Sequence, residues 1–210
     1  MTPRRQTSSS ARSWASRSNP GRSSSSPKPA RSPTLTSDLL TPPAVAPEAP
    51  LYRFELTPHN CFVCGELNAH GLRIAVRARG PLVFADLTLG PDHEGWQGVA
   101  HGGIIAALLD EVMEWALFED EAWGLTAGLS VRYRQPVRIG APIHVEGWVV
   151  ESRGRRSTTA ARLSDADGVR LAEAQGTYVA ASAAQSAELR SRYRFRKVEL
   201  EAQPGGVEGA

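Results

Sequence analysis

The sequence has little cysteine, few aromatic residues and no long apolar run. Its 210 residues include two Cys and two Met, and only 7% are Phe, Trp or Tyr. No stretch approaches the roughly 20 apolar residues that span a bilayer, and none has the apolar segment of a secretory signal peptide. We therefore expect a cytoplasmic protein with reduced thiols and no membrane partner.

The first 50 residues also lack a hydrophobic period and contain a single aromatic residue, Trp14. They hold seven Lys or Arg against two Asp or Glu, whereas the whole chain has a net charge of +2. Such a Ser-, Pro- and Arg-rich segment cannot bury enough apolar surface to offset the entropy lost on ordering. We predict that 1–50 is a disordered extension without a nucleic-acid partner; the alternative is that it serves as an organelle address. A folded domain is predicted over 51–182. A C-terminal tail follows over 183–210, with a short helix at 188–196.

The sequence of the domain contains strand patterns before and after one helix pattern. A helix is predicted over 104–118, and its first half is apolar on every side, which indicates a buried central helix. Because no helix separates the four strands after it, they are predicted to form an antiparallel meander. The resulting fold class is α+β, a curved antiparallel sheet wrapped around one long helix. The predicted strands span 72–79, 82–89, 126–134, 143–151, 157–163 and 169–179.

The start of this helix carries the most informative motif. Gly102 and Gly103 open it, and the first charged side chain after them is Asp110. The free backbone N–H groups and the dipole of a helix start can hold the oxyanion of a carbonyl addition step. A carboxylate carried into an apolar surrounding can act as a base or a nucleophile.

The spacing of these residues predicts an assembly. Gly102 and Asp110 are eight positions apart, which is about 12 Å along a helix axis. One small carbonyl group cannot contact both from a single helix. If both act on one substrate, they come from two copies of the chain, related by a two-fold axis. We predict a homodimer or a dimer of dimers, with the strand at 126–134 near the interface.

Between residues 58 and 181, the chain resembles the hotdog-fold thioesterases, and in particular the small acyl-CoA thioesterases of the phenylacetate-degradation kind. The motif at His101–Gly103 with Asp110 carries the resemblance, together with the loop 95–101 and the strand 126–137. The opening at 60–72, with its C-x-x-C-G sequence, is also similar to that of many members.

The resemblance implies roles for the residues of this chain that stand at the family's matching positions. The Gly102 N–H polarises a thioester carbonyl, Asp110 attacks that carbonyl or activates a water, and the Thr126 hydroxyl helps to place the water or the acid. Some members carry an Asn at the position of Gly95, and here Gln97 is the candidate replacement.

Further residues are assigned to substrate binding. His101 and Gly103 flank the polarising amide, and His101 is also expected to fix the turn. Glu111 is either solvated or paired and is the fallback base if Asp110 faces the core. Arg155 and Arg156 lie in a basic hairpin that is either solvated or clamps coenzyme A phosphates.

The two cysteines form one C-x-x-C, Cys61 and Cys64, with His59 and His70 nearby. A zinc site is conceivable, but zinc knuckles usually bring a second cysteine pair. A redox pair lacks its strand-to-helix context. The sequence therefore favours two reduced thiols, with no metal and no cofactor.

These residues predict an enzyme that hydrolyses an acyl-CoA thioester. A non-catalytic acyl-CoA-binding domain and a hotdog hydratase or dehydratase remain alternatives. The acyl group, and the choice between coenzyme A and acyl carrier protein, stay open.

Overall fold

The structure is a computed structural model that describes residues 37–118 and 124–201. Its strands are β1 Leu51–Glu55, β2 Arg77–Arg79, β3 Leu82–Thr88, β4 Glu94–Trp96, β5 Val99–Ala100, β6 Gly124–Tyr133, β7 Pro142–Arg153, β8 Arg156–Asp165, β9 Arg170–Ala180 and β10 Arg196–Leu200. Its helices are α1 Gly102–Phe118 and α2 Ala183–Tyr193, with 3-10 turns at Ser37–Leu40 and Pro91–His93. Within these described ranges, no helix is long and apolar enough to cross a membrane.

One large antiparallel sheet surrounds a single buried helix. Its eight strands follow the order β10-β1-β2-β3-β7-β8-β9-β6, and β4 and β5 form a separate hairpin that leads into α1. Helix α1 packs against β3, β6, β7, β8 and β9. Ile105, Leu108 and Leu109 of its first half and Val112 and Met113 of its second half are buried. The predicted α+β architecture, a sheet wrapped around one long helix, is confirmed.

The predicted meander of the last four strands is wrong in its order. Strand β6 pairs with β9 rather than with β7, and β7 pairs with β3. Only β7, β8 and β9 form consecutive hairpins. The absence of intervening helices fixed the antiparallel sense of these strands but not their neighbours, because β6 follows α1 to the far edge of the sheet.

The first predicted strand, 72–79, is shorter than expected. Only Arg77–Arg79 pair in the sheet, as β2. The backbone N–H groups of Leu72 and Ile74 donate instead to the carbonyls of Phe62 and Val63, at 2.8 and 3.0 Å. Ile74 is nevertheless buried. Its apolar character therefore reflects packing against the preceding loop rather than a place in the sheet.

The C-terminal segment contains more structure than the sequence suggested. Helix α2 begins earlier than predicted, because the Ser182 hydroxyl accepts from the Gln185 N–H and Gln185 bonds back to the Ser182 N–H, forming a capping box. The chain then reverses at Arg194, which adopts a left-handed conformation. Strand β10 follows and pairs antiparallel with β1 at the sheet edge, a strand that sequence reasoning missed.

The N-terminal extension predicted over 1–50 falls mostly on residues 1–36, which lie outside the described residues. Residues 37–50 are described, and Leu40 is only 3% exposed. It packs with Trp148 and Ala160 on the sheet. Packing of the domain therefore begins before residue 51, because a single leucine within the polar segment covers the outer face of β7 and β8.

Candidate active site

The Asp110 carboxylate, at the middle of α1, is held by two hydroxyl groups. The Thr126 hydroxyl on β6 lies 3.2 Å from both carboxylate oxygens. The Tyr178 hydroxyl on β9 donates to Asp110 Oδ1 at 2.6 Å and lies 3.1 Å from the Asp110 carbonyl oxygen. Asp110 itself is partly exposed. The carboxylate is thus fixed in orientation while one side stays open to a substrate.

Tyr178 is the site residue that sequence reasoning missed. Its ring is almost fully buried, and burial, followed by the negative charge of Asp110, raises the pKa of its hydroxyl well above the usual value. The hydroxyl therefore stays protonated at neutral pH and can act as a donor. Gly176, two positions earlier on the same strand, leaves room for this ring, since a Cβ there would lie 2.6 Å from it. The available signal was a glycine two positions before a tyrosine on the predicted strand.

A second carboxyl group lies one helical turn after Asp110. Glu114 is partly buried. Burial is the main reason why the pKa of Glu114 is raised to about 7, and the negative charge of Asp110 adds to it. At neutral pH this pair therefore holds less negative charge than two ordinary carboxylates would.

The start of α1 presents one free backbone donor. The Gly103 N–H donates to His101 Nδ1 at 2.9 Å, so the His101 side chain caps the helix. His101 thus fixes the turn, as expected, and the hydrogen bond requires Nδ1 to be unprotonated. The Gly102 N–H takes part in no hydrogen bond with the described residues, while the Gly102 carbonyl accepts from the Tyr133 hydroxyl at 2.8 Å.

Strand β6 contacts helix α1 both at Asp110 and at Gly102. Thr126 near its start contacts Asp110, and Tyr133 at its end contacts Gly102. In the described chain β6 is hydrogen-bonded on one side only, to β9. Three large apolar or aromatic side chains are exposed along it: Leu125, Leu129 and Tyr133. An open strand edge of this kind is suited to pairing with another chain.

Three of the predicted substrate-binding residues are not gathered around Asp110. Gln97 is exposed in the turn between β4 and β5. Arg155 lies in the turn between β7 and β8 and donates to the Ala180 carbonyl at 2.9 Å. Arg156 follows it and is exposed. Within one chain none of the three forms a hydrogen bond with Asp110.

Glu111 is neither solvated nor part of the Asp110 cluster. It is buried, because consecutive helix residues point about 100° apart. It accepts from the Trp115 indole N–H at 2.8 Å and from the Cys61 thiol at 3.5 Å. Burial raises the pKa of Glu111 to about 8. Its role as a fallback base has no geometric support, since it faces away from Thr126 and Tyr178.

A cavity of about 1130 Å³ lies elsewhere on the molecule. It is bordered by β1, β2 and the loop between them, and its lining includes His59, Cys64 and Trp115 but not Asp110 or Gly102. This cavity is separate from Asp110, which lies beside the open edge of β6.

Comparisons with known proteins agree with this fold. Residues 97–172 match the family model of the thioesterase superfamily. The solved structure of protein RHA08564, a thioesterase superfamily protein, is 31% identical, with a TM-score of 0.55, over 57% of this chain and 60% of that one. This chain thus covers less than two thirds of that relative.

Two further structures match at lower identity. Zebrafish thioesterase superfamily member 2 is 20% identical, with a TM-score of 0.50, over 54% of this chain and 89% of that one. The Escherichia coli PaaI protein from the phenylacetic acid degradation operon is 12% identical, with a TM-score of 0.47, over 50% and 75% of the two chains. No curated protein sequence matches the chain.

The family model covers the loop before α1, the helix itself with Gly102 and Asp110, and strands β6 to β8. These elements carry Gly102, Asp110 and Thr126, whereas Tyr178 on β9 lies beyond the matched residues. Residues 97–172 are therefore similar to the thioesterase superfamily, and the domain that contains them has the hotdog fold.

Proposed function

We infer that this protein hydrolyses an acyl-CoA thioester to the free acid and coenzyme A. The observation that carries this proposal is the Asp110 carboxylate, held by Thr126 and Tyr178 on the same helix that presents an unused N–H at Gly102. A carboxylate and an oxyanion donor are the two groups that hydrolysis of a thioester requires. The match of residues 97–172 to the thioesterase superfamily supports the same reaction class.

The chemistry follows from these positions. The thioester carbonyl oxygen accepts from the Gly102 N–H, which stabilises the negative charge of the tetrahedral intermediate. In the general-base route Asp110 takes a proton from a water molecule whose oxygen attacks the carbonyl carbon. In the nucleophilic route the Asp110 oxygen attacks, and water then cleaves the resulting anhydride. In both routes the C–S bond breaks and coenzyme A leaves as its thiol after protonation.

The proposal requires two copies of the chain. Gly102 and Asp110 of one helix remain about 12 Å apart. Strand β6 runs antiparallel to α1, with Thr126 beside Asp110 and Tyr133 beside Gly102. A two-fold axis through the middle of β6, near Leu129, would place the Gly102 end of one copy beside the Asp110 end of the other. The exposed apolar side chains of β6 support this pairing.

The remaining assignments belong to this proposal. Arg155 and Arg156 stand at an exposed turn where guanidinium groups can reach the phosphates of coenzyme A. A hydratase would need a histidine beside the acid, and within one chain no described histidine contacts Asp110. The cytoplasmic location remains a prediction.

The decisive experiment replaces Asp110 by Asn, which keeps size and removes the basic carboxylate. We expect turnover of a panel of acyl-CoAs, followed by release of the thiol, to fall by about 100-fold or more. Thermal melting shows whether the fold survives, which we expect because an amide is easier to bury than a carboxylate.

Glu188→Gln is the matched control, since Glu188 is exposed on α2 and should keep full turnover. Near-normal turnover of Asp110→Asn would overturn the role of Asp110. Tight acyl-CoA binding without turnover by the unaltered protein would favour the non-catalytic binding domain.

A further inference from the structure

A second cluster of reactive side chains lies outside the Asp110 site. The Cys61 and Cys64 sulfur atoms and a Glu111 carboxylate oxygen all lie within 4.8 Å of one another. His59 adds a fourth group, with its Nε2 at 3.4 Å from Cys64 Sγ. Three of these groups come from one short loop, and the fourth comes from α1. The other nearby histidine, His70, is exposed and takes no part.

The distances fit a tetrahedral metal. With Zn–S bonds of about 2.3 Å and Zn–N or Zn–O bonds of about 2.0–2.2 Å, neighbouring ligand atoms of a tetrahedron lie about 3.5–3.8 Å apart. The observed separations are 3.4 Å between His59 Nε2 and Cys64 Sγ, and 3.5 Å between Cys61 Sγ and Glu111 Oε2. These two separations are close to the spacing that a zinc ion imposes, and the Cys61, Cys64 and Glu111 atoms lie within 4.8 Å of one another.

The groups around the cluster are arranged as in a metal site. His59 Nδ1 lies 3.1 Å from the Thr57 carbonyl, which selects the tautomer with its proton on Nδ1 and leaves the Nε2 lone pair facing the cluster. The Val63 N–H donates to Cys61 Sγ at 3.3 Å. Gly65 permits the tight turn of this loop, since a Cβ there would lie 2.4 Å from the Cys61 nitrogen.

The lack of a cationic partner for Glu111 gives an independent argument. Three glutamates are buried in the described parts of the chain: Glu111, Glu146 and Glu173. Glu146 pairs with Arg162, and Glu173 pairs with Arg134 and Arg170. Glu111 forms no salt bridge with a described residue; its partners are an indole and a thiol. Ionisation of a carboxyl group buried without a countercharge is costly, and a divalent cation would supply that countercharge.

We propose that His59, Cys61, Cys64 and Glu111 bind one structural Zn²⁺ ion that ties the loop 59–64 to helix α1. Two thiolates with an imidazole and a carboxylate form a donor set that selects zinc over calcium or magnesium. All four coordination positions are filled by protein, as in structural rather than catalytic sites. Cys64 and His59 also border the 1130 Å³ cavity, which gives the ion a path to the site. Because His59 and Glu111 supply the other two ligands, the site needs no second cysteine pair.

The test measures metal on the full chain, purified without chelator from zinc-supplemented cells. We expect about one zinc per chain by elemental analysis. Titration of the metal-free protein with Co²⁺ should give thiolate-to-cobalt charge-transfer absorption and the visible bands of tetrahedral cobalt. Cys64→Ser should lose the bound zinc. Glu111→Gln should weaken Co²⁺ binding by about tenfold or more, as loss of even an outer partner of a metal ligand does.

Glu114→Gln is the matched control, because it makes the same change one turn further along α1 and should keep full zinc binding. Unaltered protein with neither zinc nor the cobalt bands overturns the proposal, whether or not Cys64→Ser folds. A disulfide in that protein, seen as two fewer titratable thiols, would also overturn it. Unchanged affinity in Glu111→Gln would remove Glu111 from the ligand set. None of these readouts depends on thioesterase activity, so this proposal and the proposed function fail separately.

Discussion

At the scale of single residues, the two hydroxyl groups that form hydrogen bonds with Asp110 differ in their surroundings. Tyr178 is buried and donates at 2.6 Å, whereas Thr126 is exposed and lies at 3.2 Å. Hydrogen bonds to a charged group contribute about 1.5–3 kcal/mol. We expect Tyr178→Phe, which keeps the ring, to lower kcat by about tenfold to 100-fold, measured with saturating acyl-CoA.

Thr126→Val is the comparison, since it removes a hydroxyl with little change in shape. Because its hydrogen bond is longer and open to solvent, we expect a smaller loss of kcat. A Tyr178→Phe variant that keeps full kcat, with an unchanged melting temperature, would show that Tyr178 does not position the carboxylate.

The raised pKa of Glu114 makes stability depend on pH. Its folded pKa of about 7 lies above the ordinary value of 4.5, so the folded state binds this proton more tightly. The resulting stabilisation is complete below about pH 4.5 and is lost as the pH rises through 7. Glu114→Gln removes this dependence. We expect the unfolding free energy of the variant, relative to the unaltered protein, to rise by on the order of 2 kcal/mol between pH 5 and 8.

Urea denaturation at both pH values measures this difference. Glu188→Gln, on the exposed face of α2, should follow the unaltered protein at each pH. An equal pH dependence in Glu114→Gln and the unaltered protein would contradict the assignment.

At the scale of elements, the exposed edge of β6 is the surface on which the proposed two-chain site depends. Leu129, near the middle of β6, is 37% exposed. A two-fold axis there would bring two introduced lysines together, and like charges opposite each other destabilise strand pairing. We expect Leu129→Lys to shift the protein from dimer to monomer, by light scattering at micromolar concentration, and to reduce hydrolysis in parallel.

Val169→Lys is the matched control, because Val169 is similarly exposed, at 41%, but precedes β9 at the turn from β8. It should remain dimeric and active. Unaltered protein that is monomeric and fully active would contradict the two-chain site.

The elements also show where sequence patterns were sufficient. Helix α1 was predictable because a run that is apolar on every side must be buried, and the strand patterns around it supply the sheet that covers it. The pairing of β6 with β9, and of β10 with β1, was not predictable, since alternation marks a strand but not its neighbour.

At the scale of the whole molecule, the boundary of the folded domain can be tested. Residues 1–36 have no apolar pattern with which to dock, so their removal should leave melting temperature and hydrolysis nearly unchanged. Leu40 is buried against Trp148 and Ala160. We expect Leu40→Ala in the full chain to cost about 2–4 kcal/mol of unfolding free energy.

Calorimetry and acyl-CoA turnover are measured on the protein that lacks 1–36 and on the Leu40→Ala variant. A large loss of stability on removing 1–36 would show that these residues pack on the domain. A neutral Leu40→Ala variant would show that the contact of Leu40 with the sheet contributes little to stability.

The sequence by itself determined the central helix, the antiparallel sense of the strands and the separation of Gly102 from Asp110, because these depend on local periodicity and on the fixed rise of a helix. Only the tertiary structure brought Tyr178 to Asp110, 68 positions away along the chain. It also brought Glu111 to Cys61, 50 positions away. Neither contact leaves a local pattern, since a side chain's long-range partner is set by how the sheet closes around the helix rather than by the residues beside it.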